Sequence, residues 1–126
     1  MNRLWIGIGL LVIILAMGIG LLWGSAVFFD DFSEEMEQAG KLVMAGNWAE
    51  AEKKVAHSRA QWEQWRFFWS SFTDHEPMEQ MQNLFSQMDV YRQRQLEVDF
   101  AAVCANLSNV AEAIRESHGL KWWSIL

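Results

Sequence analysis

The segment Asp74-His75-Glu76-Pro77-Met78-Glu79 gathers the side chains best suited to chemistry. His75 and Glu79 are four positions apart and would share one face of a helix, so that with the neighbouring carboxylates they could complete a metal shell. A di-iron bundle needs a different spacing. Di-iron bundles place Glu three residues before His, and here Lys54, Phe72 and Arg115 stand three before His57, His75 and His118. A helix start explains the same letters, because Pro is tolerated in a first turn and carboxylates are favoured by the N-terminal end of the helix dipole. We therefore expect no metal or cofactor. The alternative, a ligand- or metal-binding module, would rest on His75, Glu76 and Glu79.

Nucleophilic catalysis has no visible constellation. Ser and His are present, but no glycine-rich elbow poses them, and His57 and His118 read as residues of exposed faces. Cys104 stands among Ala101, Ala102, Ala105 and Ser108, the surroundings of a small buried hydrophobe rather than a reactive thiol. One Cys also excludes an internal disulfide. The chain is expected not to be an enzyme. Its net charge of −6, with basic residues scattered, lacks the basic footprint of nucleic-acid binding.

The elements that would carry any site begin with an anchor. No charged residue occurs from Leu4 to Phe29, and a bilayer core needs only about 20 such residues as a helix. Arg3 precedes this run and Asp30, Asp31, Glu34, Glu35 and Glu37 follow it, so the positive-inside bias puts the N-terminus in the cytoplasm and the rest outside. Gly24-Ser25-Ala26 offers a signal-peptidase site as the rival reading, but the apolar run exceeds a usual signal core of about 7 to 15 residues. Ala16, Gly20 and Gly24 recur every fourth residue, a small-residue face that could pack two membrane helices. Residues 1–29 are thus read as a transmembrane anchor and 30–126 as an extracytoplasmic helical domain.

Asp31 with Glu34 resembles a capping box and predicts that helix A starts there, with Phe32, Met36, Ala39 and Val43 inward. Gly46 ends it and Asn47 caps helix B. Helix B carries a seam at alternating steps of three and four: Trp48, Ala51, Val55, Ser58, Trp62, Trp65, Trp69 and Phe72. Each buried Trp removes about 150 to 250 Å² from water, so this seam can supply much of a small core. Phe67 and Phe68 add aromatics off the seam, and a helix end apolar most of the way round is enclosed or meets a membrane or partner. The turn Leu42 to Ala51 resembles that of a tetratricopeptide repeat, but no second copy follows at the 34-residue period such an array requires.

Thr73 or Asp74 would cap helix C, whose stripe is Met78, Met81, Phe85, Met88 and Tyr91. Helix D shows Leu96, Phe100, Val103, Leu107, Val110 and Ile114. The five-residue step from Tyr91 to Leu96 across Arg92-Gln93-Arg94-Gln95 predicts a break between C and D. The small residues of helix D are expected to make room for the tryptophans of helix B. Gly119 is read as the end of helix D, leaving an apolar tail with Trp122 and Trp123.

The fold expected is all-α: an N-terminal transmembrane helix, then an antiparallel bundle of three to four helices. Such a layout is similar to an uncharacterised family of short single-pass helical proteins, a domain of unknown function from Gram-positive, often spore-forming bacteria. The anchor, Asn47-Trp48 with Ala51, Trp62, Asp74-His75-Glu76 and Trp123-Ser124-Ile125-Leu126 carry the resemblance. It implies topology and no activity. The chain is expected to be a single-pass cell-membrane interaction or structural module, with a protein partner or a second copy meeting Trp62, Trp65, Phe67, Phe68, Trp69, Trp122 and Trp123.

Overall fold

The computed structural model describes residues 2–71 and 73–125, and the side chains of these up to residue 120. Four helices account for nearly all of them: α1 (Asn2–Met44), α2 (Trp48–Ser70), α3 (His75–Gln93) and α4 (Glu97–Ile125). No strand occurs among the described residues.

Helix α1 runs unbroken for 43 residues, about 64 Å at 1.5 Å per residue. No new helix begins at Asp31: that residue lies inside α1, where its amide is already committed to the helical ladder, so the capping box does not form. A single inward stripe crosses the expected boundary, with Ser25, Phe29, Phe32, Met36, Ala39 and Val43 all buried. Asp30, Asp31 and Glu34 sit on the exposed side of the same turns. The helix is long enough and apolar enough at its N-terminal end to span a membrane.

The turn between α1 and α2 is a Schellman motif. Gly46 N–H donates to the Val43 carbonyl at 2.9 Å and Asn47 N–H to the Leu42 carbonyl at 2.8 Å, while Gly46 takes φ 84°, a left-handed value that costs a residue with a Cβ about 1–2 kcal/mol. Asn47 caps α2 as predicted, its side-chain oxygen accepting from the Glu50 amide. The break between α3 and α4 falls in the polar stretch and uses the same device. Gln95 N–H donates to the Arg92 carbonyl and Leu96 N–H to the Tyr91 carbonyl, with Gln95 in the left-handed position at φ 56°.

Packing centres on α1, which lies against α2 and α4, while α3 lies against α4. Of the seam on α2, Ala51, Val55, Ser58, Trp62 and Trp69 are buried and Trp48 is half-buried. Phe72 lies outside the described residues. Trp65 is exposed, because no third element covers the side of α2 it occupies. Phe29 joins the halves of the core, its ring 6.4 Å from Trp62 and 5.3 Å from Trp69. Each such aromatic pair adds about 0.5–1.5 kcal/mol beyond area burial. The Arg59–Asp89 ion pair at 2.7 Å, with both partners more than a third exposed, contributes about 0.2–1 kcal/mol. Ring packing therefore dominates.

Two expectations about α4 are corrected. Its small residues face α1 rather than the tryptophans of α2: a Cβ placed on Gly40 would lie 3.4 Å from Cys104 Cβ, and Ser108 Oγ is 2.5 Å from Ser33 Oγ. Small side chains on both helices let their backbones approach. Gly119 does not end α4, which continues to Ile125. A glycine can cap a helix but does not oblige it to stop, and no polar or Pro residue follows at once to break the ladder.

Candidate functional site

Among the described residues, three places hold groups that could do chemistry or bind a ligand. The first is the His75 turn, where Asp74 occupies the N-cap position with extended backbone. His75 Nε2 is 2.7 Å from Glu79 Oε1 in an open contact, the side chains 87% and 62% exposed. Glu76 is exposed on the same turn. Among the described residues no group of three or more His, Cys, Asp or Glu side chains is placed to hold a metal ion.

The second place was read as an exposed face and is buried. His118 is 8% exposed, held between Ser25 Oγ at 2.6 Å from Nδ1 and Thr73 Oγ1 at 2.6 Å from Nε2. Trp69 stacks on its ring at 5.6 Å and Phe29 meets it edge-on at 5.7 Å. A neutral imidazole donates from one nitrogen and accepts at the other, and a hydroxyl can do either, so both tautomers fit this cradle. The arrangement resembles a nucleophile beside a base, but Ser25 is 1% exposed, leaving no path for a reacting carbonyl. Its role is to tie α1, the α2–α3 connection and α4 together. The register contains the signal: Leu107, Ala111, Ile114 and His118 continue the inward stripe of α4 by steps of four, three and four.

The third place is a groove on the α1–α2 face. Below Phe28 the two helices leave a cleft of about 910 Å³ between Trp23, Gly24 and Val27 on α1 and Trp65, Phe68 and Trp69 on α2. A second cavity of about 420 Å³ lies above it, lined in part by Glu34, Glu35, His57 and Gln61. The two share Phe28 and Asp31. Glu35 is bound on one side by Ser58 Oγ and on the other by His57 Nδ1 at 3.0 Å, which anchors the acidic end of the groove to α2.

The sequence-predicted contact residues divide across this geometry. Trp62 and Trp69 belong to the core at 0% and 5% exposure. Trp65, Phe67 and Phe68 are exposed, Phe67 lying under the Arg66 guanidinium at 4.8 Å. Gly20 and Gly24 line the groove, and Ala16 is exposed on the same helix. The side chains of Trp122 and Trp123 lie outside the described residues.

The domain of unknown function DUF4363 matches residues 26–125. The chain belongs to that family. No curated protein and no solved structure matches it. The DUF4363 match starts one residue after Ser25 and so coincides with the packed body, the N-terminal apolar stretch of α1 falling before it. Membership adds no activity to the three places described above.

Proposed function

We propose that this DUF4363 chain is a single-pass, membrane-anchored module that acts by binding a partner rather than by catalysis. Its N-terminus is cytoplasmic and its antiparallel helical bundle extracytoplasmic. The observation that carries this reading is the continuity of α1, whose exposed apolar half and buried half form one helix without a hinge. The portion from Leu4 to Gly24 holds one buried residue, Gly18, and lies before the first buried side chains of the body, Ser25 and Phe29. Those 21 positions extend about 32 Å, close to the roughly 30 Å of a bilayer core. The body then stands on the membrane surface, with Trp23 at interfacial depth. Orientation follows from Arg3 before the stretch and five carboxylates soon after it.

The reading is tested by placing Ser86→Cys, at an exposed site on α3, in a Cys104→Ala background. Labelling of intact cells with a membrane-impermeant maleimide and retention through alkaline extraction are the expected results. Labelling only after lysis overturns the orientation, and release by alkali overturns the anchor. For the partner, a photoreactive residue replacing Phe67 should give a discrete protein adduct in native membranes, either another chain or a second copy. Adducts to lipid alone would remove the partner-binding role at that surface.

A further inference from the structure

The geometry points to the α1–α2 groove as a site for a phospholipid with an amine-bearing headgroup, its acyl chain in the cleft beneath Phe28 and its ammonium at Asp31 and Glu34. The inference rests on the anchored reading, because the anchor sets the depth of the groove. The α1 wall of the cleft runs from Ile14, Met17 and Leu21, inside the span, up to Val27, so its lower end opens onto hydrocarbon. Hydrocarbon chains are the medium that fills an apolar cleft at that depth, and the exposed rings of Trp65 and Phe68 supply the facing wall.

Chemistry changes sharply at Phe28 and Asp31, where the cleft opens into the acidic cavity. Neither cavity is lined by Lys or Arg. Asp31 is exposed and makes no ion pair among the described residues, while Glu34 is held only by a 3.4 Å hydrogen bond from Gln38. An anionic headgroup would be repelled there and an ammonium attracted, at the low effective dielectric of an interface. An apolar trough ending in unneutralised carboxylates thus matches a zwitterionic lipid whose outermost group is an ammonium, with its phosphate between that group and the acyl chains.

The wall also provides its own control. A Cβ added at Gly20 or Gly24 meets no atom within 4 Å, and both glycines line the cleft, so a larger side chain at Gly24 starts in open space and extends into the cleft. The experiment uses the full chain in phosphatidylcholine nanodiscs with a few per cent of a lipid bearing a photoreactive acyl chain, either phosphatidylethanolamine or phosphatidylglycerol. Expected are adducts on the Trp65–Trp69 peptide, about fivefold more with the ethanolamine head, as a small cluster of partly exposed ion pairs would give. Asp31→Asn with Glu34→Gln should abolish the preference. Gly24→Phe should remove those adducts and leave those on Leu10–Ile13 unchanged. Equal yields from both headgroups in the unaltered chain, or Trp65–Trp69 adducts that survive Gly24→Phe, overturn the site while leaving the anchor intact. Absence of lipid adducts on Leu10–Ile13 overturns the anchor and the site with it. A protein adduct from a photoreactive residue at position 65 in native membranes makes the occupant a partner helix and also overturns the inference.

Discussion

Thr73 Oγ1 and Ser25 Oγ lie on either side of His118, each 2.6 Å from a ring nitrogen. One imidazole thereby closes the lower end of the body, fixing the connection between α2 and α3 against the first and last helices. Buried hydroxyls this close need a partner, and His118 supplies one that fits in either tautomer.

Replacing His118 should be among the most damaging single changes. His118→Ala leaves Ser25 and Thr73 short of a partner and opens space against Phe29 and Trp69, so a loss of about 3–5 kcal/mol is expected. His118→Phe restores the ring but not the hydrogen bonds and should cost about 1–3 kcal/mol. Chemical denaturation of the full chain in detergent measures both. Equal stability of His118→Phe and the unaltered chain would mean that packing alone matters there.

The two left-handed turn positions should respond in opposite directions. Gly46→Ala forces a Cβ into φ 84° and is expected to cost about 1–2 kcal/mol. Gln95→Gly relieves the same conformation at φ 56° and, after the entropy cost of a glycine, should add about 0.5–1 kcal/mol, less what is lost with the bond from Gln95 Nε2 to the Arg92 carbonyl. Paired thermal melts of the two variants check the signs. A destabilised Gln95→Gly would show that the side-chain bond outweighs the backbone.

Periodicity made much of this fold legible. The stripes Phe32-Met36-Ala39-Val43 on α1 and Met81-Phe85-Met88 on α3 are buried as their spacing requires, and the slip after Tyr91 marks a real turn. The errors came where residue type was weighed above register. Asp31 and Glu34 look like a helix start, yet Ser25 and Phe29 already carry the inward stripe of α1 across it. His118 looks like a surface residue, yet it falls four after Ile114 on the buried face of α4. The groove was not legible at all, since it depends on where α2 stops lying against α1, and that separation is set by tertiary packing rather than by either helix's pattern.

Gly40 should tolerate one methyl and no more. A Cβ there reaches Cys104 Cβ at 3.4 Å and the Ala101 carbonyl oxygen at 3.6 Å, both ordinary contacts. Gly40→Ala is expected to be neutral or to stabilise by up to about 1 kcal/mol through helix propensity, whereas Gly40→Leu must push α4 away and should cost about 1–3 kcal/mol. Denaturation midpoints of the two variants decide it. A strongly destabilised Gly40→Ala would place α1 and α4 closer together than described.

Cys104 should be inert until the body opens. Burial pushes its thiol from 9.0 up to about 12, since a thiolate cannot be solvated between α1 and α4. At pH 8 the thiolate fraction is then about a thousandfold below that of an ordinary thiol, and alkylation by iodoacetamide should be slower than in the unfolded chain by at least that factor. The same shift links stability to pH. Below about pH 9 both states hold the proton and the contribution is intact; as pH rises from about 9 to about 12 the unfolded chain loses the proton and the folded chain keeps it, so stability falls across that window. Cys104→Ala should flatten this alkaline loss. Alkylation of the native chain within tenfold of the unfolded rate would show that the α1–α4 interface opens far more often than its packing implies.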